Sequence, residues 1–389
     1  MTTTHPALPV STPVTASLVR GAVALEPGPA GLVPHRLPAW ARDQYPDPQL
    51  LMAEAQPAGV RLVFRTRATT LALETRPTKV VYPGAPARAD GVYDLLVDGR
   101  LVAQASVAGG DSLVVDLQTG QHELRPGPTG TALFRGLPGH DKTVELWLPW
   151  NERTELVALR TDAPVEPAPA GHRPVWLHHG SSISHGSNAT SPTGTWPAVA
   201  ARAAGVDLVN LGFAGSALLD PFVARVIRDT EADRISLKIG INLVNHDLMR
   251  RRALVPALHG FLDTIREGHP GTPLLVVSPL YCPIHETTPG PAALDPASLA
   301  SGQPRFVATG DPGATESGAL TLRLIREELE RAVAQRRAAD PFLRYLDGTR
   351  LYGPEDHDEL PLPDNLHPGP EAHARIGARF AQLAFAPSR

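Results

Sequence analysis

Three short stretches of this chain carry side chains that together could perform serine-dependent acyl chemistry. They are His179-Gly180-Ser181-Ser182-Ile183-Ser184, Gly240-Ile241-Asn242 and Asp364-Asn365-Leu366-His367. A serine hydroxyl is inert at neutral pH until a base takes its proton. His367 is the candidate base, and Asp364 sits three residues before it, close enough to orient the imidazole and stabilise its cation. Pro368 follows and stiffens that turn. Ser182 is the favoured nucleophile by its spacing from Gly180, with Ser181 and Ser184 as rivals. A tetrahedral intermediate also needs donors aimed at its oxyanion. Asn242 follows one expected strand end and Asn210-Leu211-Gly212-Phe213-Ala214-Gly215 follows another; Gly215, with no side chain, can bring its N–H close to a substrate. Alone, the Asp-x-x-His would be a surface turn before a helix, and the other segments ordinary strand-to-helix turns. Their ordered combination is what points to chemistry.

Those groups must be held by a framework, and the chain changes rhythm near its middle. Residues 1–35 are Thr-, Pro- and Ala-rich without clear period and read partly as a loose arm. From Gly59 the pattern turns to β: residues 60–67 and 70–75 alternate apolar and polar, the period of a half-buried strand, and further strand-like runs follow at 93–97, 101–107, 112–117 and 143–148. Asp98-Gly99 joins two of these as a tight hairpin would. Short strands with turn signals between them predict an antiparallel sandwich over 1–165. Residues 166–174 read as a Pro-rich linker.

From 175 to 389, strands alternate with helices. Strands are expected at 175–178, 208–210, 234–239, 274–278 and 343–346, and helices at 196–204 (Thr195 as cap), 221–230, 254–267, 320–337 and 370–383. Such alternation implies a parallel sheet covered on both faces, with ligands outside the carboxyl ends of its strands. Ser182 follows the first of those strands. The stretch between Pro283 and Gly318 is Pro/Gly/Ala-rich without clear structure, long enough to serve as a lid or a substrate-pocket wall.

The order Gly-x-Ser-x-Ser, Asn-x-Gly-x-x-Gly, Gly-x-Asn, Asp-x-x-His resembles the SGNH hydrolases, also called the GDSL esterase/lipase family, over about residues 175–385. The resemblance implies a flavodoxin-like three-layer α/β/α domain with Ser182 as nucleophile and Asp364 and His367 completing a triad. It also implies an oxyanion hole made of the Ser182 N–H, the Gly215 N–H and the Asn242 side chain. The preceding sandwich is similar to that of two-domain members, including carbohydrate esterases and some actinobacterial acyltransferases. This chain departs from the family pattern at Ser181, where Gly-Asp-Ser members carry aspartate, and at Leu243, where an acidic residue often follows the asparagine.

Other features narrow the function. A net charge of −4 without a basic stripe argues against nucleic acid as partner. No run approaches the ~20 apolar residues of a membrane helix, and the first 25 residues lack the layout of a secretory signal. The single cysteine, Cys282, cannot form an internal disulfide and suits a reducing compartment, so a soluble cytoplasmic protein is expected. His178, His179 and His185 crowd the nucleophile, yet alternate residues of a strand face opposite ways and no carboxylate cluster joins them, so neither a metal nor another cofactor is expected. Trp147 and Trp150 read as core or interface aromatics before sugar platforms. The leading expectation is an esterase acting on a small-molecule ester through acyl-Ser182. The alternative is transfer of the acyl group, for example from a coenzyme A thioester, to an alcohol or sugar. The third is a binding module carrying a degenerate hydrolase domain.

Overall fold

In a computed structural model, which describes residues 8–84, 88–116, 119, 121–169, 173–300 and 302–385, the chain divides into two compact units. The first takes the described residues of 1–36, 55–172 and 191–193, the second those of 37–54, 173–190 and 194–389.

Among its described residues the first unit holds fourteen strands: β1 (Val10–Thr12), β2 (Val19–Arg20), β3 (Ala24–Pro27), β4 (Leu32–His35), β5 (Arg61–Thr66), β6 (Thr70–Val81), β7 (Val92–Val97), β8 (Arg100–Ser106), β9 (Asp111–Val115), β10 (His122–Arg125), β11 (Gly130–Arg135), β12 (Lys142–Trp147), β13 (Arg153–Thr161) and β14 (Val165–Pro167). One sheet runs β10-β9-β6-β13-β4-β3 with β1 on β13 and β11 on β6; the other runs β14-β5-β12-β7-β8 with β2 on β5. Pairing is antiparallel except for β6 with β9. Leu71, Leu73 and Leu159 of the first sheet and Leu62, Phe64, Leu95 and Leu146 of the second enter one buried core, as a sandwich requires. Asp98 and Gly99 both adopt positive φ, 48° and 77°, the conformation of a two-residue hairpin turn.

Two expectations need correction. From Val10 on, the supposed loose arm is four short strands, each only two to four residues long, below the length at which alternation can be read; residues 1–7 lie outside the described part. The supposed linker begins with a strand, because β14 pairs with β5 through Val165, Glu166 and Pro167; residues 170–172 lie outside the described part, as does residue 117 at the end of the strand expected over 112–117.

The second unit is built on a parallel sheet of β15 (Val175–Gly180), β16 (Asp207–Gly212), β17 (Arg234–Lys238), β18 (Leu274–Val277) and β21 (Leu343–Leu346), in the order β16-β15-β17-β18-β21. That is the flavodoxin-like order, with its switch point beside the first strand. Its helices are α1 (Ala39–Gln44), α2 (Pro48–Ala55), α3 (Ser182–His185), α4 (Trp196–Ala204), α5 (Pro221–Asp229), α6 (Ile241–Asn245), α7 (Arg251–Gly268), α8 (Pro296–Ala300), α9 (Leu322–Arg336), α10 (Pro354–Glu359) and α11 (Pro370–Phe385). Strand alternation sorts them into layers. Trp176 and His178 of β15 meet Trp196 of α4 and Phe380 of α11. His179 points the other way, onto Phe261 of α7.

The 283–318 stretch is not structureless. It holds a hairpin of β19 (Ala292–Leu294) and β20 (Phe306–Ala308) with α8 between them. Three-residue strands and a five-residue helix are too short for periodicity to reveal.

Candidate active site

Adjacent strands β16, β15 and β17 end at Gly212, Gly180 and Lys238, so the loops leaving them share one edge of the sheet. Phe213 N–H donates to Gly180 O at 2.8 Å, which ties the first two loops together. The chain turns into the short helix α3 immediately after β15, with Ser184 and His185 N–H donating to Ser181 O, each at 2.9 Å. Ser182 stands at the start of that turn.

His367 reaches it from the loop before α11. Its Nε2 lies 2.9 Å from Ser182 Oγ, and its Nδ1 lies 2.7 Å from Asp364 Oδ2. A carboxylate can only accept, so Nδ1 carries the hydrogen and Nε2 keeps the lone pair that accepts from the serine. The second carboxylate oxygen, Asp364 Oδ1, accepts from Leu366 N–H at 3.0 Å and His367 N–H at 2.7 Å. Burial pushes the Asp364 carboxyl up, but the His367 ring and these two amides outweigh it and hold the group below the usual carboxylate range. The aspartate therefore stays ionised beside the imidazole.

Neither rival hydroxyl meets the imidazole. Ser184 Oγ lies 2.8 Å from His178 Nε2, whose Nδ1 lies 2.7 Å from Ser236 Oγ, itself bonded by Trp176 Nε1–H at 2.8 Å. Ser181 Oγ is buried without a hydrogen-bond partner, at the position where the resemblance would put an aspartate. Of the three serines, Ser182 meets the imidazole.

The candidate oxyanion donors are positioned by backbone chemistry. Gly215 adopts φ 74°, a left-handed conformation that a side chain would strain. Asn242 lies in the first turn of α6, and its Oδ1 accepts from Ala217 N–H at 3.1 Å. Since that amide can only donate, the oxygen is fixed there and the Nδ2 hydrogens are directed away from Ala217. The same bond links the loop of Gly215 to the loop of Asn242.

The three crowded histidines separate. His178 belongs to the serine chain just described, His179 Nδ1 lies 2.8 Å from Leu211 O, and His185 Nδ1 accepts from Ala214 N–H at 3.3 Å. Burial drives His178 well below its ordinary value and brings His179 to about 4, so both are neutral. Among the described residues no group of three His, Cys, Asp or Glu is placed to hold a metal ion. Trp147 is buried, donates to Glu145 Oε2 at 3.1 Å and carries the Arg61 guanidinium over its ring, which makes it a core aromatic. Cys282 is buried, its Sγ 3.4 Å from Asn365 O, and burial pushes the thiol up to about 12.

Four contributors escaped the sequence reading. Phe306 N–H donates to Asp364 O at 2.9 Å, Asn365 Nδ2 returns a bond to Phe306 O at 3.1 Å, and the Phe306 ring stands edge-on to His367 at 5.8 Å. The long 283–318 stretch is thus fastened to the Asp364–His367 loop by its single aromatic residue. Asn188, with φ 68°, places Nδ2 at 3.4 Å from Asp364 Oδ2. Gln49 Nε2 donates to Ala214 O at 2.8 Å. Lys238, in register with Gly180, is buried, and burial lowers its ammonium to about 8. Only Lys238 left a trace in the sequence, as a lone cation in the apolar run Ile235-Ser236-Leu237-Lys238-Ile239.

Comparison with known proteins identifies the family. A model of the GDSL-like lipase/acylhydrolase family matches residues 173–283, and a model described as the SsfX3 N-terminal domain matches residues 18–157. Among solved structures, the chain is similar to the salicylyl-acyltransferase SsfX3 from a tetracycline biosynthetic pathway, with 32% identity over 98% of both chains and a TM-score of 0.79. It shares its fold with a candidate GDSL-like lipase from Bacteroides ovatus, at 18% identity, 93% of both chains and a TM-score of 0.64. It does so also with a family two carbohydrate esterase from Clostridium thermocellum, at 13% identity, 83% of this chain and 91% of that one, and a TM-score of 0.53. No curated protein matches the chain. No helix among the described residues is long and apolar enough to cross a membrane. The chain belongs to the GDSL-like lipase/acylhydrolase family of esterases and acyltransferases, in the two-domain form with an SsfX3-type N-terminal domain.

Proposed function

We propose that Ser182 is the nucleophile of an ester- or thioester-cleaving enzyme, with His367 as general base and Asp364 as its orienting carboxylate. The observation that carries this reading is the unbroken chain Ser182 Oγ to His367 Nε2 at 2.9 Å and His367 Nδ1 to Asp364 Oδ2 at 2.7 Å. As Ser182 Oγ attacks the acyl carbonyl, its proton passes to Nε2, and the imidazolium forms beside an ionised carboxylate. Negative charge growing on the carbonyl oxygen is met by the N–H groups of Ser182 and Gly215 and the Nδ2 of Asn242. His367 then returns the proton to the departing alcohol or thiol, leaving acyl-Ser182. Water activated by the same Nε2 releases the acid, which makes the enzyme an esterase of small-molecule substrates.

A second reading replaces water with an alcohol or sugar hydroxyl. Its support is the 32% identity, spread over 98% of both chains, to a salicylyl-acyltransferase. The Phe306 ring edge-on to His367 also supports it, since an apolar wall at the imidazole restricts water at the attacking position. Product analysis separates the two. Purified enzyme is given p-nitrophenyl esters or acyl thioesters with and without hydroxyl acceptors, and products are identified by mass spectrometry. Free acid formed at the same rate with or without acceptors supports hydrolysis. An acyl-enzyme that persists until an acceptor arrives supports transfer. No turnover and no labelling of Ser182 by a fluorophosphonate would leave the binding-module reading.

A further inference from the structure

We propose that Gln49 is a positioning residue of the oxyanion hole, holding the peptide that carries the Gly215 N–H; the inference rests on the reading of Gly215 as an oxyanion donor. The key is which peptide it touches. Gln49 Nε2 donates to Ala214 O at 2.8 Å. Ala214 C=O and Gly215 N–H are the two ends of one planar trans amide, so a bond that fixes the oxygen also fixes the direction of the hydrogen. Donation to a carbonyl polarises its amide, which strengthens the N–H as a donor. One contact therefore aims the oxyanion donor and sharpens it.

The surroundings give this peptide little other support. Ser216 Oγ approaches Ala214 O only at 3.5 Å. His185 Nδ1 receives Ala214 N–H, and His246 Nε2 lies 3.0 Å from Gly215 O, but both bonds fall on the flanking peptides. Gly215 is at φ 74°, where the backbone has no side chain to lock it. A Cβ built there would meet Gln49 Cγ at 3.3 Å and Nε2 at 3.4 Å, so the glutamine lies flat against the glycine.

Gln49 is itself held in place. It occupies the first turn of α2, after Pro48 at the first helical position, and Asp47 Oδ1 accepts Leu50 N–H at 2.8 Å as a cap. The carbonyl partner settles the orientation of the amide, because only its nitrogen end can donate. An exposed side chain 165 residues upstream of its partner thus reaches the loop after β16.

The test is kinetic, with p-nitrophenyl acetate as substrate and phenylboronic acid as a probe that forms a tetrahedral adduct on the nucleophile. Gln49→Ala and Gln49→Met are expected to lower kcat about 10-fold at unchanged KM, less than the roughly 10²–10³ for deleting an oxyanion donor outright. Boronate affinity should fall by the same factor, which a merely structural role would not produce. Gln49→Lys, which keeps a donor, should recover part of the rate, and Gln49→Glu, which cannot donate, should not. The side chain is exposed, so melting temperatures should stay within about 2 °C. If Gln49→Ala unfolds, Gln49→Met of matched length decides. Rates within twofold of wild type, or a raised KM at unchanged kcat, would overturn the proposal. Asn242→Ala and Ser182→Ala run alongside: if they collapse while the Gln49 variants do not, only the role of Gln49 fails. If they too retain activity, the reading of the site fails with it.

Discussion

Replacing Asp364 by asparagine exchanges one carboxylate oxygen for an NH2 group and changes almost no volume, yet the hydrogen bonds dictate a large loss. Asp364 Oδ1 accepts two backbone N–H groups, at 3.0 and 2.7 Å, while Oδ2 accepts His367 Nδ1–H at 2.7 Å. The asparagine amide has one oxygen and one NH2. With the oxygen at Oδ1 both backbone donors stay satisfied and the NH2 faces the ring. In the opposite orientation two backbone N–H groups face an NH2, at about 1–3 kcal/mol each. The long 3.4 Å contact from Asn188 cannot repay that. The first orientation wins by about 2–6 kcal/mol, and it forces Nδ1 to accept. The ring hydrogen moves to Nε2, which then donates to Ser182 where it should take a proton. The lost counter-charge for the imidazolium adds to the defect. We expect kcat to fall about 10³- to 10⁴-fold, the upper figure being that of the same change in the chymotrypsin-type triad. Steady-state rates on a p-nitrophenyl ester, corrected by active-site titration and read beside an unchanged melting temperature, give the answer. A kcat within tenfold of wild type would refute the tautomer reasoning.

Asn242→Ala should cost about 10²–10³ in kcat with a smaller change in KM; an unchanged rate would remove Asn242 from the oxyanion hole. Burial holds the Lys238 ammonium at about 8 against an ordinary 10.5, so the unfolded chain binds more protons between those values and stability rises as pH climbs from 8 to 10.5. Lys238→Met should stabilise the protein on the order of 3 kcal/mol at neutral pH and abolish that rise in denaturant unfolding; a destabilised variant would show the charge to be compensated. In the sandwich unit, burial raises the Glu152 carboxyl to about 7 against an ordinary 4.5, and its Oε1 has no partner. The folded state then binds more protons than the unfolded one between those values, so stability falls as pH rises from 4.5 through 7. Glu152→Gln should flatten that decline, and an unaltered pH profile would reject the assignment.

How far the chain could be read varied with element length and with the range of the contact. Core strands β5 and β6 announced themselves by alternation over six or more residues, and Asp98-Gly99 because few residues tolerate positive φ. Four strands before residue 36 were invisible because two to four residues cannot display a period. Helices α1 and α2 were missed for a similar reason: six and eight residues carry little pattern, and nothing local reports that residues 37–54 cluster with the second unit. At the site, Ser182, Asp364 and His367 were legible as types at motif spacing, and the structure brings them into one hydrogen-bonded chain. Gln49, Asn188 and Phe306 act through contacts to backbone, carboxylate and ring 58 or more residues away, and no residue type or spacing encodes such a contact.

Acylation of Ser182 is the step on which the account stands, and intact-protein mass spectrometry reads it. Enzyme mixed with a p-nitrophenyl ester or acyl thioester and quenched early should gain the mass of one acyl group, mapped by digestion to the peptide containing Ser182 and absent in Ser182→Ala. Turnover by Ser182→Ala at the wild-type rate, or an adduct mapped to another residue, would contradict it.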